Sequence, residues 1–248
     1  MSRRVLIGRS LAQAGPLVEQ VARLGVVGVY QALLQVEKFP APADFEARLG
    51  QAQAIVVTSA NAVARLGEYT RKRFVPVLAV GDGTARAARS LGFADVASAQ
   101  GDAAALLQLC RKHLRPAEGS VLYLRGRDVA QDLAPALAAD GYEIDPMVVY
   151  ATEPVRQFRP PVERALKQAN LDAAVLFSPR GAANFVSLVR QAGVEYACAG
   201  MTLIAFSPAV AQAAADDMVW RLRLVAEKPT MPALLATLEQ WRDGKFAG

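Results

Sequence analysis

The chain has 248 residues, of which 53% are hydrophobic and 21% are charged, with a net charge of +5 at pH 7. This much apolar material is enough for one or two cores, which argues against a disordered chain. The longest apolar candidate, residues 203–215, is broken by Ser207, Pro208 and Gln212, and a membrane span needs roughly 20 apolar residues. Only three apolar residues stand between Arg4 and Gly8, too few for a signal peptide. We expect a soluble cytoplasmic protein, and the positive charge favours an anionic partner.

Cysteine and histidine are rare in the chain. Cys110 and Cys198 form no C-x-x-C motif, and Cys110 with His113 would supply only two metal ligands. A serine hydrolase triad would have to use His113, the only histidine, and no serine lies in a G-x-S-x-G motif. The sequence predicts neither a disulfide framework nor a metal, and it does not favour hydrolase chemistry.

Strand-like and helix-like patterns alternate in the first half. Residues 3–9 predict a buried strand, and a helix is predicted over residues 14–24. An extended segment at 26–42 precedes a helix that Asp44 is expected to cap. Strands are then predicted at 55–57, 77–80 and 95–97, each followed by a helix, the last of which ends near residue 114. This alternation predicts parallel sheets covered by helices on both faces.

The second half repeats the order. A strand at 121–126 and a helix at 132–141 lead to an extended stretch at 147–154. Strands at 174–177, 203–206 and 222–226 follow, each with its own helix. We therefore predict an α/β fold of two similar doubly wound parallel-sheet domains. Their binding edges should be the carboxyl ends of the strands.

The turns that follow these strands contain the candidate binding residues. Each turn presents backbone N–H groups and the positive end of a helix dipole, which suit a carboxylate or phosphate. The turns carry small or hydroxyl residues at Ser10, Thr58, Ser59, Gly83, Thr84, Ser178 and Thr230, with basic side chains at Arg9, Arg125, Arg127, Arg180 and Lys228. Each hydroxyl can equally serve as a simple helix cap. Tyr150, on the extended stretch, can either pack or donate a proton to a leaving oxygen.

The glycine turn at 81–86 invites comparison with a dinucleotide-binding loop. Its third glycine position holds Arg86, and the turn follows a later strand of its domain, so the pattern fails. No G-x-x-x-x-G-K-[ST] motif is present either, so the sequence lacks the signature of a nucleoside triphosphate site.

Taken together, several stretches resemble the uroporphyrinogen-III synthase family across nearly the whole chain. They are Val56 to Val63, Ala79 to Ala85, Leu122 to Gly126, Val148 to Pro154 and Val175 to Pro179. The resemblance implies two α/β domains joined by a two-stranded β linker. The first domain would comprise residues 1–34 and 155–248 and the second residues 43–146, with linker strands at 35–42 and 147–154.

The family resemblance also implies a reaction. Its members are cofactor-free lyases of haem biosynthesis that close the linear tetrapyrrole hydroxymethylbilane into uroporphyrinogen III, with loss of water and inversion of the last pyrrole ring. Every ring of this substrate carries an acetate and a propionate, which suits a basic cleft lined by helix N-termini. Tyr150 matches the tyrosine proposed to assist departure of the hydroxyl. Thr58, Ser59, Thr84 and Ser178 match cleft positions, and the other substrate-binding candidates are Arg9, Ser10, Gly83, Arg125, Gly126, Arg127, Arg180, Ser207 and Lys228.

Two turns depart from the family pattern. Gly8-Arg9-Ser10 stands where Thr-Arg-Pro is frequent, and Ser207-Pro208-Ala209-Val210 lacks the hydroxyls of the usual Gly-Pro-Thr-Thr. The second departure motivates an alternative, a catalytically inactive relative that uses the cleft as a sensor or binding module. The high isoelectric point motivates another, a nucleic-acid-binding protein. The leading hypothesis is an active monomeric synthase without a nucleic-acid or membrane partner, in transient contact with the preceding pathway enzyme.

Overall fold

The structure is a computed structural model that describes residues 2–15, 17–129, 131–215 and 218–245. We number its strands and helices in chain order. The strands are β1 (Arg4–Ile7), β2 (Val27–Tyr30), β3 (Leu34–Lys38), β4 (Ala52–Val57), β5 (Val77–Ala79), β6 (Val96–Ser98), β7 (Ser120–Gly126), β8 (Ile144–Pro154), β9 (Ala173–Leu176), β10 (Thr202–Ala205) and β11 (Leu222–Val225). The helices are α1 (Leu11–Ala14), α2 (Leu17–Arg23), α3 (Phe45–Gln51), α4 (Ala60–Tyr69), α5 (Asp82–Ser90), α6 (Ala103–His113), α7 (Ala134–Ala139), α8 (Pro160–Lys167), α9 (Pro179–Gln191), α10 (Glu195–Gly200), α11 (Pro208–Ala215) and α12 (Met231–Asp243).

The chain divides into two compact units. Unit 1 comprises Met1–Gln35 and Glu153–Gly248, and unit 2 comprises Val36–Thr152. The segments expected to act as linkers, residues 35–42 and 147–154, coincide with most of β3 and the second half of β8. The role of these segments as linkers stays a prediction, and so do the domain boundaries that the sequence predicts, 1–34 with 155–248 and 43–146.

Unit 1 is built on a five-stranded sheet in the order β11-β10-β9-β1-β2. All four pairs of neighbouring strands are parallel. The central strands are buried on both faces; Leu6 belongs to the core on one side of the sheet, and Val5 and Ile7 belong to the core on the other. Such continuous apolar runs are typical of parallel strands covered by helices.

Unit 2 is built on a six-stranded sheet in the order β3-β8-β7-β4-β5-β6. Strands β8, β7, β4, β5 and β6 pair in parallel. Along β4, Ile55 and Val57 face one core, and Ala54 and Val56 face the other. The prediction of two similar α/β bodies with parallel sheets is confirmed.

Local predictions differ from the structure in several places. The helix expected at 14–24 corresponds to the shorter α2, and the preceding α1 was not predicted; Gly15 after α1 has the positive φ of 45° that glycine tolerates best. Part of the segment predicted to be extended, at 26–42, is β2, which pairs with β1. Asp44 occupies the N-cap of α3, but its side chain forms no capping hydrogen bond within the described residues, so that prediction is wrong. Helices α8 and α10 were not predicted.

None of the helices within the described part of the chain combines the length and the apolar character needed to cross a membrane.

Candidate active site at the carboxyl ends of the strands

Each sheet contains a topological switch point, where the chain turns from building one side of the sheet to building the other. In unit 1 this point lies between β1 and β9, and in unit 2 it lies between β4 and β7. Ligands of open α/β sheets bind at the carboxyl ends of the strands beside such a point. Within each unit, the predicted residues that lie at the strand ends beside the switch point are therefore the ones that can act together.

In unit 2 a pair of hydroxyl groups lies at the switch point. Ser59 has an extended backbone after β4 and caps α4, since its Oγ accepts a hydrogen bond from the backbone N of Ala62 at 3.2 Å. The same Oγ lies 2.9 Å from the Tyr150 hydroxyl, and either oxygen can donate. Both side chains are partly exposed. The structure thus brings together two residues that are 91 positions apart in sequence.

The space for the Tyr150 ring is provided by Gly126. These residues face each other where β7 and β8 pair, and the backbone N of Arg127 donates to the Tyr150 carbonyl at 2.8 Å. A Cβ atom on Gly126 would lie 2.8 Å from Tyr150 Cζ and 2.9 Å from its hydroxyl oxygen, which is too close for any real contact. Because Gly126 has no side chain, the Tyr150 ring can lie across β7 at this position.

Thr58 and Arg125 belong to the opposite face of the same sheet. Val56 pairs with Tyr123 in the register of β4 and β7, and both face the core that also contains Leu133. Because side chains alternate along a strand, Thr58 and Arg125 lie on this face two positions further along. Tyr123 was not among the predicted site residues, because in sequence it looks like an ordinary residue of a buried strand.

The remaining candidates of unit 2 follow β5 and β7. Gly83 and Thr84 are in the first turn of α5, at the end of β5; Gly83 is exposed and Thr84 is buried. Arg127 stacks over the Phe39 ring at 5.2 Å and lies 3.6 Å from the carboxylate of Glu37. In the strand order, β5 is the neighbour of β4, which precedes Ser59, and β7 is the neighbour of β8, which carries Tyr150.

The switch point of unit 1 has a different chemical character. Arg9, directly after β1, places its guanidinium 4.1 Å from the centre of the Phe177 ring, which follows β9. Burial lowers the pKa of Arg9, because its charge is partly removed from water. The carbonyl of the adjacent Ser10 accepts a hydrogen bond from Ala14 at 2.9 Å. The unit therefore holds a partly desolvated cation at the place where an anion would enter.

The other candidates of unit 1 follow strand by strand from this point. Ser178 caps α9 by accepting from the backbone N of Gly181 at 3.1 Å, and Arg180 in the same turn lies 3.9 Å from Glu153. Ser207, after β10, accepts from the backbone N of Val210 at 3.4 Å. Lys228, after β11, is exposed. The strand order places Ser207 and Lys228 progressively farther from Arg9, so the structure does not cluster them with it.

The departure at Ser207 to Val210 has a structural explanation. Val210 is 1% exposed and belongs to the core between the sheet and its helices. A hydroxyl at this position would face apolar side chains, so valine serves packing there. Ala209 is exposed, so packing does not explain the missing hydroxyl at this residue.

Within the part of the chain that the structure describes, no group of three or more histidine, cysteine, aspartate or glutamate residues is arranged to hold a metal ion. Cys110 is fully buried in the core beside α6, whereas His113 in the same helix is exposed.

Fold and site together define a duplicated α/β protein with polar and basic strand ends at its switch points. The family model for uroporphyrinogen-III synthase HemD matches residues 15–236. The chain belongs to the uroporphyrinogen-III synthase family. This match confirms the predicted family and, with it, the predicted enzyme class, a cofactor-free lyase of tetrapyrrole biosynthesis.

Solved structures agree with the fold. The uroporphyrinogen-III synthetase from Helicobacter pylori is 18% identical, with a TM-score of 0.61 over 96% of this chain and 99% of that one. A mutant uroporphyrinogen III synthase from the extremely thermophilic bacterium Thermus thermophilus is 20% identical, with a TM-score of 0.52 over 98% of both chains. No curated protein matches the sequence.

Proposed function

We propose that this chain closes hydroxymethylbilane into uroporphyrinogen III and that Tyr150 acts on the departing hydroxyl of the substrate. The family membership supports the reaction. The observation that carries the residue assignment is the 2.9 Å contact between Ser59 Oγ and the Tyr150 hydroxyl at a strand end. Two hydroxyls so placed can orient one another's protons.

The direction of this hydrogen bond decides what Tyr150 can do. Ser59 Oγ already accepts from the backbone N of Ala62. When Ser59 donates its proton to the Tyr150 oxygen, the Tyr150 O–H remains available to donate to the leaving hydroxyl of the substrate. The N-terminus of α4 also favours negative charge on these oxygens. The Tyr150 O–H donates a hydrogen bond to the leaving hydroxyl and so eases its departure as hydroxide; transfer of the phenol proton to it would complete a molecule of water and leave the Tyr150 phenolate.

The remaining steps need positioning more than acid–base chemistry. Loss of the hydroxyl leaves an azafulvene cation, which the substituted carbon of the last ring attacks to form a spiro intermediate. Fragmentation and reclosure then give the inverted ring. Holding the reacting carbons together is worth roughly 7 to 11 kcal/mol in favourable cases. We assign this holding to strand-end residues within each unit, Arg9 and Ser178 in unit 1 and Arg125 in unit 2, whose side chains can each bind a carboxylate.

The proposal extends to the state of the protein in the cell. Cys110 and Cys198 are both buried free thiols, a pattern suited to the reducing cytoplasm. We propose a cytoplasmic monomer that receives its unstable substrate through transient contact with the preceding pathway enzyme.

The test mixes the protein with freshly generated hydroxymethylbilane and resolves the two product isomers. We expect isomer III from the wild type, and isomer I alone would contradict the proposal. Tyr150→Phe should lower kcat by roughly tenfold to a hundredfold, with a smaller rise in KM. Tyr142→Phe is the matched control, because Tyr142 lies in the same unit and its buried hydroxyl donates to the Leu114 carbonyl. Unchanged kcat in Tyr150→Phe would make Tyr150 a packing residue.

A further inference from the structure

A second polar cluster lies on the face of the unit 2 sheet opposite Ser59 and Tyr150. It consists of Thr58, Tyr123 and Arg125, with Asp132 just before α7. Tyr123 is fully buried, whereas the Arg125 side chain is 20% exposed and that of Asp132 is 39% exposed. The cluster therefore runs from the core to the surface at the carboxyl ends of β4 and β7, beside the switch point.

Two buried donors in this cluster have no acceptor in the part of the chain that the structure describes. They are the Tyr123 hydroxyl and Arg125 Nε. The other Arg125 contacts are long, since Nη1 lies 3.4 Å from the carbonyls of Gly126 and Arg127. Buried polar atoms without partners are rare in native proteins because they are costly. Both groups require an oxygen that accepts hydrogen bonds.

Asp132, the nearby carboxylate, is poorly placed to accept hydrogen bonds from Arg125. One of its carboxylate oxygens accepts from the backbone N of Ala134 at 3.1 Å, and the other lies 3.7 Å from Arg125 Nη2. The pair Arg111–Asp140, in the same unit, shows the geometry that an arginine and an aspartate normally reach, with bonds of 2.7 and 3.1 Å. Asp132 is therefore near Arg125 without engaging it fully.

Electrostatics keep the tyrosine a donor. Burial raises the pKa of Tyr123, and the negative charge of Asp132 raises it further. Smaller effects of the Leu133 backbone, Arg125 and Thr58 oppose this rise. The Thr58 hydroxyl is thus close enough to act on Tyr123, although it does not meet hydrogen-bond geometry. At neutral pH the cluster presents a phenol, a hydroxyl and a guanidinium to a single acceptor.

We infer that Thr58, Tyr123 and Arg125 form a carboxylate-binding subsite and that Asp132 competes with the ligand's carboxylate for Arg125. This inference rests on the proposed function, whose substrate carries carboxylates on every ring. A carboxylate supplies only acceptors, which is what the two buried donors need. When a ligand carboxylate engages Arg125, Asp132 gives up its long ion pair and keeps its bond to Ala134.

The experiment measures the dissociation constant of uroporphyrin I, a stable tetrapyrrole with an acetate and a propionate on each ring, by fluorescence titration. Asp132→Asn should tighten binding roughly twofold to fivefold, because an ion pair between partly exposed groups is weak. Arg125→Gln should weaken binding about tenfold, because a charge-assisted hydrogen bond is lost. Tyr123→Phe should weaken it about twofold to threefold.

The double variant Asp132→Asn with Arg125→Gln provides the decisive comparison. Without the cation there is nothing to compete for, so we expect the double variant to bind like Arg125→Gln alone. Asp140→Asn is the control for net charge, because it removes the same charge from the same unit at a fully engaged pair, and it should bind like the wild type. If Arg125→Gln fails to fold, the contrast between Asp132→Asn and Asp140→Asn still shows whether Asp132 in particular, rather than net charge, weakens binding.

Three outcomes would overturn the inference: equal tightening in Asp132→Asn and Asp140→Asn, no tightening in Asp132→Asn, or the same gain from Asp132→Asn with and without Arg125. The binding assay needs no turnover, so it separates this inference from the proposed function. Isomer III from a wild type that fails these binding tests contradicts only the subsite. Isomer I alone, with the expected binding pattern, contradicts only the proposed activity.

Discussion

The two units place different chemistry at equivalent points of similar sheets. At the switch point of unit 1 a cation, Arg9, lies against the Phe177 ring. At the switch point of unit 2 two hydroxyls, those of Ser59 and Tyr150, share a hydrogen bond. In both units the parallel sheet therefore presents the same kind of strand ends. A few side chains determine whether those ends bind an anion or orient a hydroxyl proton.

This difference predicts a division of kinetic effects. Changes to the unit 1 switch point should act mainly on KM, since a cation binds the carboxylates in both ground and transition states. Changes to the unit 2 switch point should act mainly on kcat, since a hydroxyl donor matters most as the leaving oxygen gains charge.

Gly126→Ala should disturb unit 2 most. The new methyl carbon would lie 2.8 Å from Tyr150 Cζ, so the ring has to move away from Ser59. We expect kcat to fall roughly tenfold or more, because small misplacements of a catalytic group are costly. Steady-state kinetics with hydroxymethylbilane measures the effect.

The control for this change is Gly50→Ala in α3 of the same unit. A Cβ there would meet no atom of the described residues within 4 Å, and alanine favours helix over glycine by roughly 1 kcal/mol. Its kcat should equal that of the wild type, with equal or higher thermal stability. Full activity in Gly126→Ala would mean that the placement of the Tyr150 ring does not limit the reaction.

Arg9→Gln should produce a smaller effect, confined to binding. Removing the stacked cation should raise KM about threefold to tenfold and leave kcat within about twofold, since one charge-assisted contact is lost. Arg3→Gln is the matched control, because Arg3 also stacks on an aromatic ring of unit 1, Trp241, but precedes β1 at the opposite end of the strand. A fall in kcat equal to the rise in KM would show that Arg9 contributes to the chemical step.

The fold was largely predictable because buried parallel strands give continuous apolar runs in sequence. Ser59 was also identified individually, from its place after a strand, and Tyr150 was identified from the family resemblance of the extended stretch that contains it. Their contact was not predictable, because it depends on β8 pairing with β7 in a register that no local pattern encodes. A glycine at a strand end can indicate a close approach, and this signal could have paired Gly126 with an aromatic ring. Tyr123 remained hidden because a tyrosine among valine and leucine residues is typical of a core strand.

One cysteine in each unit allows the comparison to be extended to stability. Cys198 in α10 reports on unit 1 and Cys110 in α6 reports on unit 2, and both are fully buried. Burial raises the pKa of each thiol from 9.0 to about 12. Folding therefore keeps each thiol neutral while the unfolded chain ionises it above about pH 9. The contribution to stability is intact below pH 9 and is lost as the pH rises towards 12.

At one pH unit above the pKa of the unfolded chain, we expect each cysteine to lower the free energy of unfolding by about 1.4 kcal/mol. Urea unfolding at pH 8 and pH 10 measures this loss for the wild type, Cys110→Ala and Cys198→Ala. Each alanine variant should lose less stability between the two pH values than the wild type does, because one ionising thiol is absent. Since burial raises both pKa values well above pH 10, the two variants should give equal reductions. A reduction in only one of them would show that the core around the other cysteine admits water, and would make the two units unequal in packing as well as in chemistry.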